Sequence, residues 1–114
     1  MAKKYIGVPY VYGGATPRGF DCSGLMMYSY AQVGVKLPRS SRAQYQQAPT
    51  KIPIDQMQPG DLIFYAPGGN PANGVYHVAM YAGGGMRVHA PRPGQSVELT
   101  KIYWKNVVPY AGRY

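Results

Sequence analysis

A chain of 114 residues, 46% of them hydrophobic, is long enough to bury one core and too short to bury two. No apolar run exceeds five residues, which excludes a membrane-spanning helix, and the apolar content argues against intrinsic disorder. Twelve Lys and Arg against four Asp and Glu leave a formal charge of +8, which favours an acidic partner: nucleic acid, an anionic membrane, or an anionic cell-wall polymer.

One domain over residues 1–114 is expected, since no repeat, linker or charged tail interrupts the chain. The opening Met1-Ala2-Lys3-Lys4 is basic, but Gly7-Val8-Pro9 stands where a secretion signal needs an apolar stretch, so no signal peptide is expected in this chain. Residues 9–20 carry Pro9, Gly13, Gly14, Pro17 and Gly19 and read as a loop. Leu25, Met26, Tyr28, Tyr30 and Val33 then recur at helical spacing, which predicts a helix over about 22–33 with Asp21 as N-cap and Gly34 as its stop. Ser40 or Ser41 caps a second short helix that runs through Gln47 and ends before Pro49. Segments 61–66, 76–82, 86–90, 96–99 and 106–110 are rich in Val, Ile, Tyr and Phe and are separated by Gly, Pro and Asn, which predicts strands. Gly83-Gly84-Gly85 marks a hairpin turn. Helices followed by an antiparallel meander make an α+β domain.

The chain holds one cysteine and two histidines, so it can form no intrachain disulfide and has few ligands for a structural zinc. Cys22 falls at the predicted start of the first helix, where free backbone N–H groups and the helix dipole favour a thiolate and can hold an oxyanion. A lone cysteine is also a common buried core residue, and position alone leaves both readings open. His77 and His89 are twelve residues apart across the predicted hairpin, so they can share a sheet face on neighbouring strands. One can then serve as general base while the other orients it, the alternative being two strand-end histidines bonded to carbonyls.

Six ordered blocks carry a resemblance: Tyr10-Val11-Tyr12-Gly13-Gly14, Gly19-Phe20-Asp21-Cys22-Ser23-Gly24-Leu25, Leu37-Pro38-Arg39-Ser40-Ser41, Pro59-Gly60-Asp61-Leu62-Ile63-Phe64, His77-Val78-Ala79-Met80-Tyr81 and Val88-His89-Ala90. From about residue 4 to residue 110 the chain resembles the NlpC family of papain-like cell-wall cysteine peptidases. The resemblance implies a papain-like α+β fold in which the helix bearing the nucleophile packs on a small antiparallel sheet. It implies Cys22 as nucleophile, His77 as general base, His89 as the residue orienting that base, and Tyr10 facing the nucleophile with its hydroxyl towards the oxyanion. Asp21 and Ser23 match positions associated with substrate contacts, with a helix cap and a first-turn helix residue as the respective alternatives. Arg39 and Ser40 are further candidate substrate contacts: Arg39 offers a fork to a substrate carboxylate or else a structural salt bridge, and the scarcity of acids favours the fork. Asp61, after Pro59-Gly60, reads as a structural turn or capping residue and not as a catalytic one. No metal or cofactor is required by this chemistry.

The activity implied is hydrolysis of an amide bond in peptidoglycan stem peptides, between D-glutamyl and a diamino acid. The partners are the stem peptides and anionic wall polymers, and the expected setting is a secreted, wall-associated or phage-delivered monomer, whole or cut from a longer protein. A wall-binding module that has lost the reaction, and acyl transfer or amide hydrolysis on another substrate, stand as alternatives. Nucleic acid is disfavoured because the basic residues are scattered from Lys3 to Arg113, with no basic run longer than Lys3-Lys4.

Overall fold

The central helix and a twisted sheet meet over a core that draws on nearly every segment predicted to be apolar. The computed structural model describes residues 2–114; the expected domain start at Met1 lies outside them. A two-residue ladder pairs β1 (Ala15–Thr16) with β2 (Gly19–Phe20) inside the expected loop, and α1 (Cys22–Ala31) and α2 (Ser41–Gln47) follow. The main sheet comprises β3 (Thr50–Pro53), β4 (Leu62–Tyr65), β5 (His77–Gly83), β6 (Met86–His89), β7 (Glu98–Lys101) and β8 (Tyr110–Arg113), in the order β3-β8-β4-β5-β6-β7 with every pair antiparallel.

Both helices begin where their caps dictate. Asp21 holds an extended conformation and its Oδ1 accepts from the Gly24 N–H at 2.7 Å, while Ser40 Oγ accepts from the Ala43 N–H at 3.1 Å. Helix α1 is apolar around most of its circumference, and such a helix must be covered on more than one side. Leu25, Met26 and Tyr30 are buried in the main core. Tyr28 packs against Tyr5 and Phe20 with ring centroids 5.5 and 5.6 Å away, so the N-terminal segment closes over the helix from outside. Strand β4 is buried along its whole length: Leu62 and Phe64 enter the main core, and Ile63 and Tyr65 enter a second cluster with Ala79 and Ile102. Asp61, at the head of that strand, is structural as expected: it accepts from the Gln58 N–H and receives both arms of the Arg113 fork at 2.8 Å.

Several boundaries differ from the sequence expectation, each for a local reason. Helix α1 ends at Ala31 rather than 33, because Gly34 takes a φ of 79° and the Val35 N–H turns back to the Tyr30 carbonyl. Segment 106–110 is displaced: Asn106 adopts a φ of 70°, Pro109 has no N–H to donate, and regular pairing starts at Tyr110. The segment expected at 96–99 pairs over 98–101 instead. The meander covers β4 to β7 alone, since β8 returns to lie between β4 and β3. Strand β3 was not expected, because its four residues Thr-Lys-Ile-Pro carry little apolar signal and sit at a sheet edge.

Candidate active site

Cys22 is the first residue of α1, and a network fixes the turn that presents it. The Arg39 guanidinium donates to Asp21 Oδ1 and Oδ2 at 3.1 and 2.8 Å and to Ser23 Oγ at 2.9 Å. Buried Gln44, on α2, donates to the carbonyls of Ser23 and Pro38 at 3.0 and 2.9 Å and so ties α2 to the start of α1. Of the two roles expected for Arg39, the salt bridge is present: Asp21 takes its fork bidentately, while the 44% exposed guanidinium still lines a cleft beside Cys22. Ser23 is a buried first-turn residue whose hydroxyl also donates to Asp21 at 3.3 Å.

The sheet supplies the other half. His77 opens β5, His89 closes β6 and Glu98 opens β7, so three consecutive strands bring one polar residue each to the same end. His77 Nε2 lies 2.9 Å from His89 Nδ1, and His89 Nε2 lies 3.0 Å from Glu98 Oε1. The histidine rings meet edge-on at 5.1 Å, and Tyr65 on β4 packs 5.5 Å from His77. Arg87 reaches across the sheet to donate to the Tyr65 hydroxyl at 2.8 Å, which fixes a positive charge beside the histidine pair.

These surroundings set the proton affinities. Burial pushes the Cys22 thiol above its ordinary value; the Val78 N–H opposes this, the Asp21 charge adds to it, and the N–H groups of Ser23 and Cys22 itself oppose it again. Burial of the sulfur thus works against the thiolate that the helix start favours, and the backbone donors offset it only in part. Burial, then His89 and Arg87, hold His77 down to about 3, and burial and Arg87 hold His89 down to about 4. The resting pair at neutral pH is a thiol and a neutral imidazole, the protonation state a general base needs. The Tyr10 phenol is pushed up by burial and by the nearby Cys22 and Asp21, so it stays a neutral donor.

Two clefts meet at Cys22. One of about 360 Å³ holds His77, His89, Arg87 and Glu98, and one of about 590 Å³ runs past Tyr12, Asp21, Ser23, Arg39 and Ser40. Tyr10, Cys22 and Tyr76 line both, so the residues singled out from sequence do converge, with the thiol at the junction. Ser40 spends its acceptor on the α2 cap while its side faces the second cleft. Sequence reasoning missed Glu98, Gln44, Arg87 and Tyr76. For Glu98 a signal existed in its scarcity as one of four acids; Gln44 and Tyr76 had no distinguishing signal.

Comparison with known proteins bears on what such a junction serves. The family model described as NlpC/P60 family matches residues 7–112. Peptidoglycan endopeptidase RipA of Mycobacterium tuberculosis is 42% identical over 122 residues, covering 96% of this chain and 25% of RipA. The gamma-D-glutamyl-L-lysine dipeptidyl-peptidase of Bacillus subtilis is 40% identical over 99 residues, covering 86% of this chain and 32% of that protein. The chain thus spans no more than about a third of these curated relatives. The crystal structure of the NlpC/p60 domain of peptidoglycan hydrolase SagA superposes with a TM-score of 0.86 at 44% identity, covering 99% of this chain and 92% of that one.

Proposed function

Because the chain belongs to the NlpC/P60 family, we propose that it is a cysteine peptidase that hydrolyses peptidoglycan stem peptides at the bond between D-glutamyl and the following diamino acid. The observation that carries this reading is the junction itself: a lone cysteine at a capped helix start, opening between two clefts beside a hydrogen-bonded histidine pair. The relatives named for action on peptidoglycan and on a gamma-D-glutamyl bond supply the substrate class.

In this mechanism the stem peptide lies along both clefts with its scissile carbonyl over Cys22. As sulfur attacks the carbonyl carbon, its proton passes to His77, which becomes an imidazolium steadied by His89. Negative charge gathers on the carbonyl oxygen, where the helix-start N–H groups and the neutral Tyr10 hydroxyl are the available donors. His77 then returns the proton to the leaving amine, the C–N bond breaks, and the acyl group remains as a thioester on Cys22. Water deprotonated by His77 attacks that thioester, releasing the D-glutamyl carboxylate and the thiol. The mismatch between thiol and imidazole affinities is offset during attack, because the imidazolium forms beside the developing negative charge in a site of low dielectric.

The surplus of eight positive charges suits an anionic wall polymer, and we place the protein's action at the cell wall, outside the cytoplasm. The test is digestion of purified peptidoglycan with mass analysis of the muropeptides. New fragments ending in D-glutamate are expected, and Cys22→Ala should abolish them while leaving the far-UV circular dichroism unchanged. Intact stem peptides after incubation with folded wild-type protein would refute the reading.

A further inference from the structure

The two histidines can be hydrogen-bonded in either of two directions, and only one of them leaves His77 able to accept a proton from Cys22. If His77 Nε2 carries the shared proton, His77 Nδ1 is a free lone pair. If His89 Nδ1 carries it, neutral His77 must hold its proton on Nδ1 and cannot serve as a base. Nothing within the pair itself chooses, since each ring offers one donor and one acceptor.

The choice is made from outside the pair. Glu98 stands directly opposite His89 in the β6–β7 register, and its Oε1 lies 3.0 Å from His89 Nε2. An ionised carboxylate only accepts, so the proton of that bond must sit on His89 Nε2. With His89 only 3% exposed, water has little access to compete for that nitrogen. Neutral His89 then has its lone pair on Nδ1, 2.9 Å from His77 Nε2, which must be the donor. We propose that Glu98 is a positioning residue: its carboxylate sets the direction of the hydrogen-bond relay through His89 and so leaves His77 Nδ1 unprotonated and ready to act as base. The cost of losing such an orienting group falls on turnover more than on substrate affinity.

This inference rests on His77 being the general base of the proposed peptidase, and the experiment separates the two. Long-range ¹H–¹⁵N correlation spectra of the full chain labelled at histidine report the protonation of each ring nitrogen, and two histidines are readily assigned. At pH 7.5 the wild-type protein should show a protonated Nε2 on both rings and an unprotonated Nδ1 on both. In Glu98→Ala the Nδ1 signals should move towards the protonated position, with kcat falling by about tenfold or more and KM changing little. In Glu98→Gln, whose carbonyl oxygen can take over the acceptor role, the wild-type nitrogen pattern and most of the turnover should return. A protonated His89 Nδ1 in the wild type overturns the proposal, whether or not the variants fold. Unmoved nitrogen shifts in Glu98→Ala, or an equal loss of kcat in the Gln and Ala variants, overturn it as well. Tautomers that respond as expected in a protein that cleaves no peptidoglycan would instead sink the peptidase reading and leave the positioning role standing.

Discussion

Replacing Gly24 by alanine inverts the usual sign of a helix substitution. In an exposed helix the change stabilises by about 1 kcal/mol, because glycine has the larger entropy to lose. Here a Cβ would lie 2.0 Å from the Gly14 carbonyl oxygen and 2.9 Å from Asp21 Oδ1. A carbon–oxygen contact needs about 3.3 Å, so the Gly14 segment or the helix start must retreat by roughly 1.3 Å. Neither is free to do so. The Gly14 carbonyl accepts from the Asp21 N–H at 2.9 Å, and the Asp21 cap holds the Gly24 N–H at 2.7 Å. Weakening both bonds and overpacking the contact outweighs the propensity gain, for a net destabilisation of about 2–4 kcal/mol. In a domain of this size that lowers the melting temperature by roughly 10–20 °C. Urea denaturation should be followed by far-UV circular dichroism, because the sole tryptophan, Trp104, is 55% exposed and reports poorly on the core. Cleavage should fall as well, since the retreat carries Cys22 with it. A Gly24→Ala protein as stable as the wild type would refute the close-approach argument.

Stability should also depend on acid. His77 and His89 are held below their ordinary affinity of about 6.5, so above that pH both are neutral, folded or unfolded, and add no slope. As pH falls below 6.5 the unfolded chain takes up protons that the folded one refuses, and stability drops by up to about 1.4 kcal/mol per pH unit per histidine down to pH 4. Urea midpoints at pH 7, 6 and 5 check this, and a flat series would contradict it; kcat/KM should correspondingly keep its plateau below pH 6.5. At the helix start, Asp21→Ala removes cap and ion pair together and should cost about 1–2 kcal/mol. Asp21→Asn keeps a cap, and Arg39→Ala removes a fork that is 44% exposed, so each should cost less than about 1 kcal/mol. Thermal melts of the three rank these roles, and an Arg39→Ala loss exceeding that of Asp21→Ala would reverse the assignment.

What could be read from sequence was whatever depends on near neighbours. Both helix caps, the glycine hairpin turn and the convergence of Cys22 with two histidines follow from residue types at short spacing or from motif blocks in order. What could not be read depends on register and burial. Glu98 meets His89 only because β7 pairs with β6 at that step, and a one-residue slip would point it to the other face. The scarcity of acids weighs against a salt bridge for Arg39, yet scarcity does not say where the nearest acid falls, and Asp21, eighteen positions away along the chain, meets the fork. For the thiol, the donors at a helix start that favour its ionisation are legible, whereas the burial of the sulfur that opposes it is not.

The Gly83-Gly84-Gly85 turn lies at the far end of the hairpin whose open end holds the two histidines. Seven residues of β5 put about 20 Å between them. The ladder shifts register once, between Tyr81 and Gly83 beside the turn, and is regular from the Tyr81–Arg87 pair onward; a residue added or deleted in the turn that this irregularity does not absorb moves every downstream side chain of β6 by a full step. The hairpin therefore works as a fixed ruler. Its zero mark is a triplet of glycines, all at positive φ, that no reacting group ever touches.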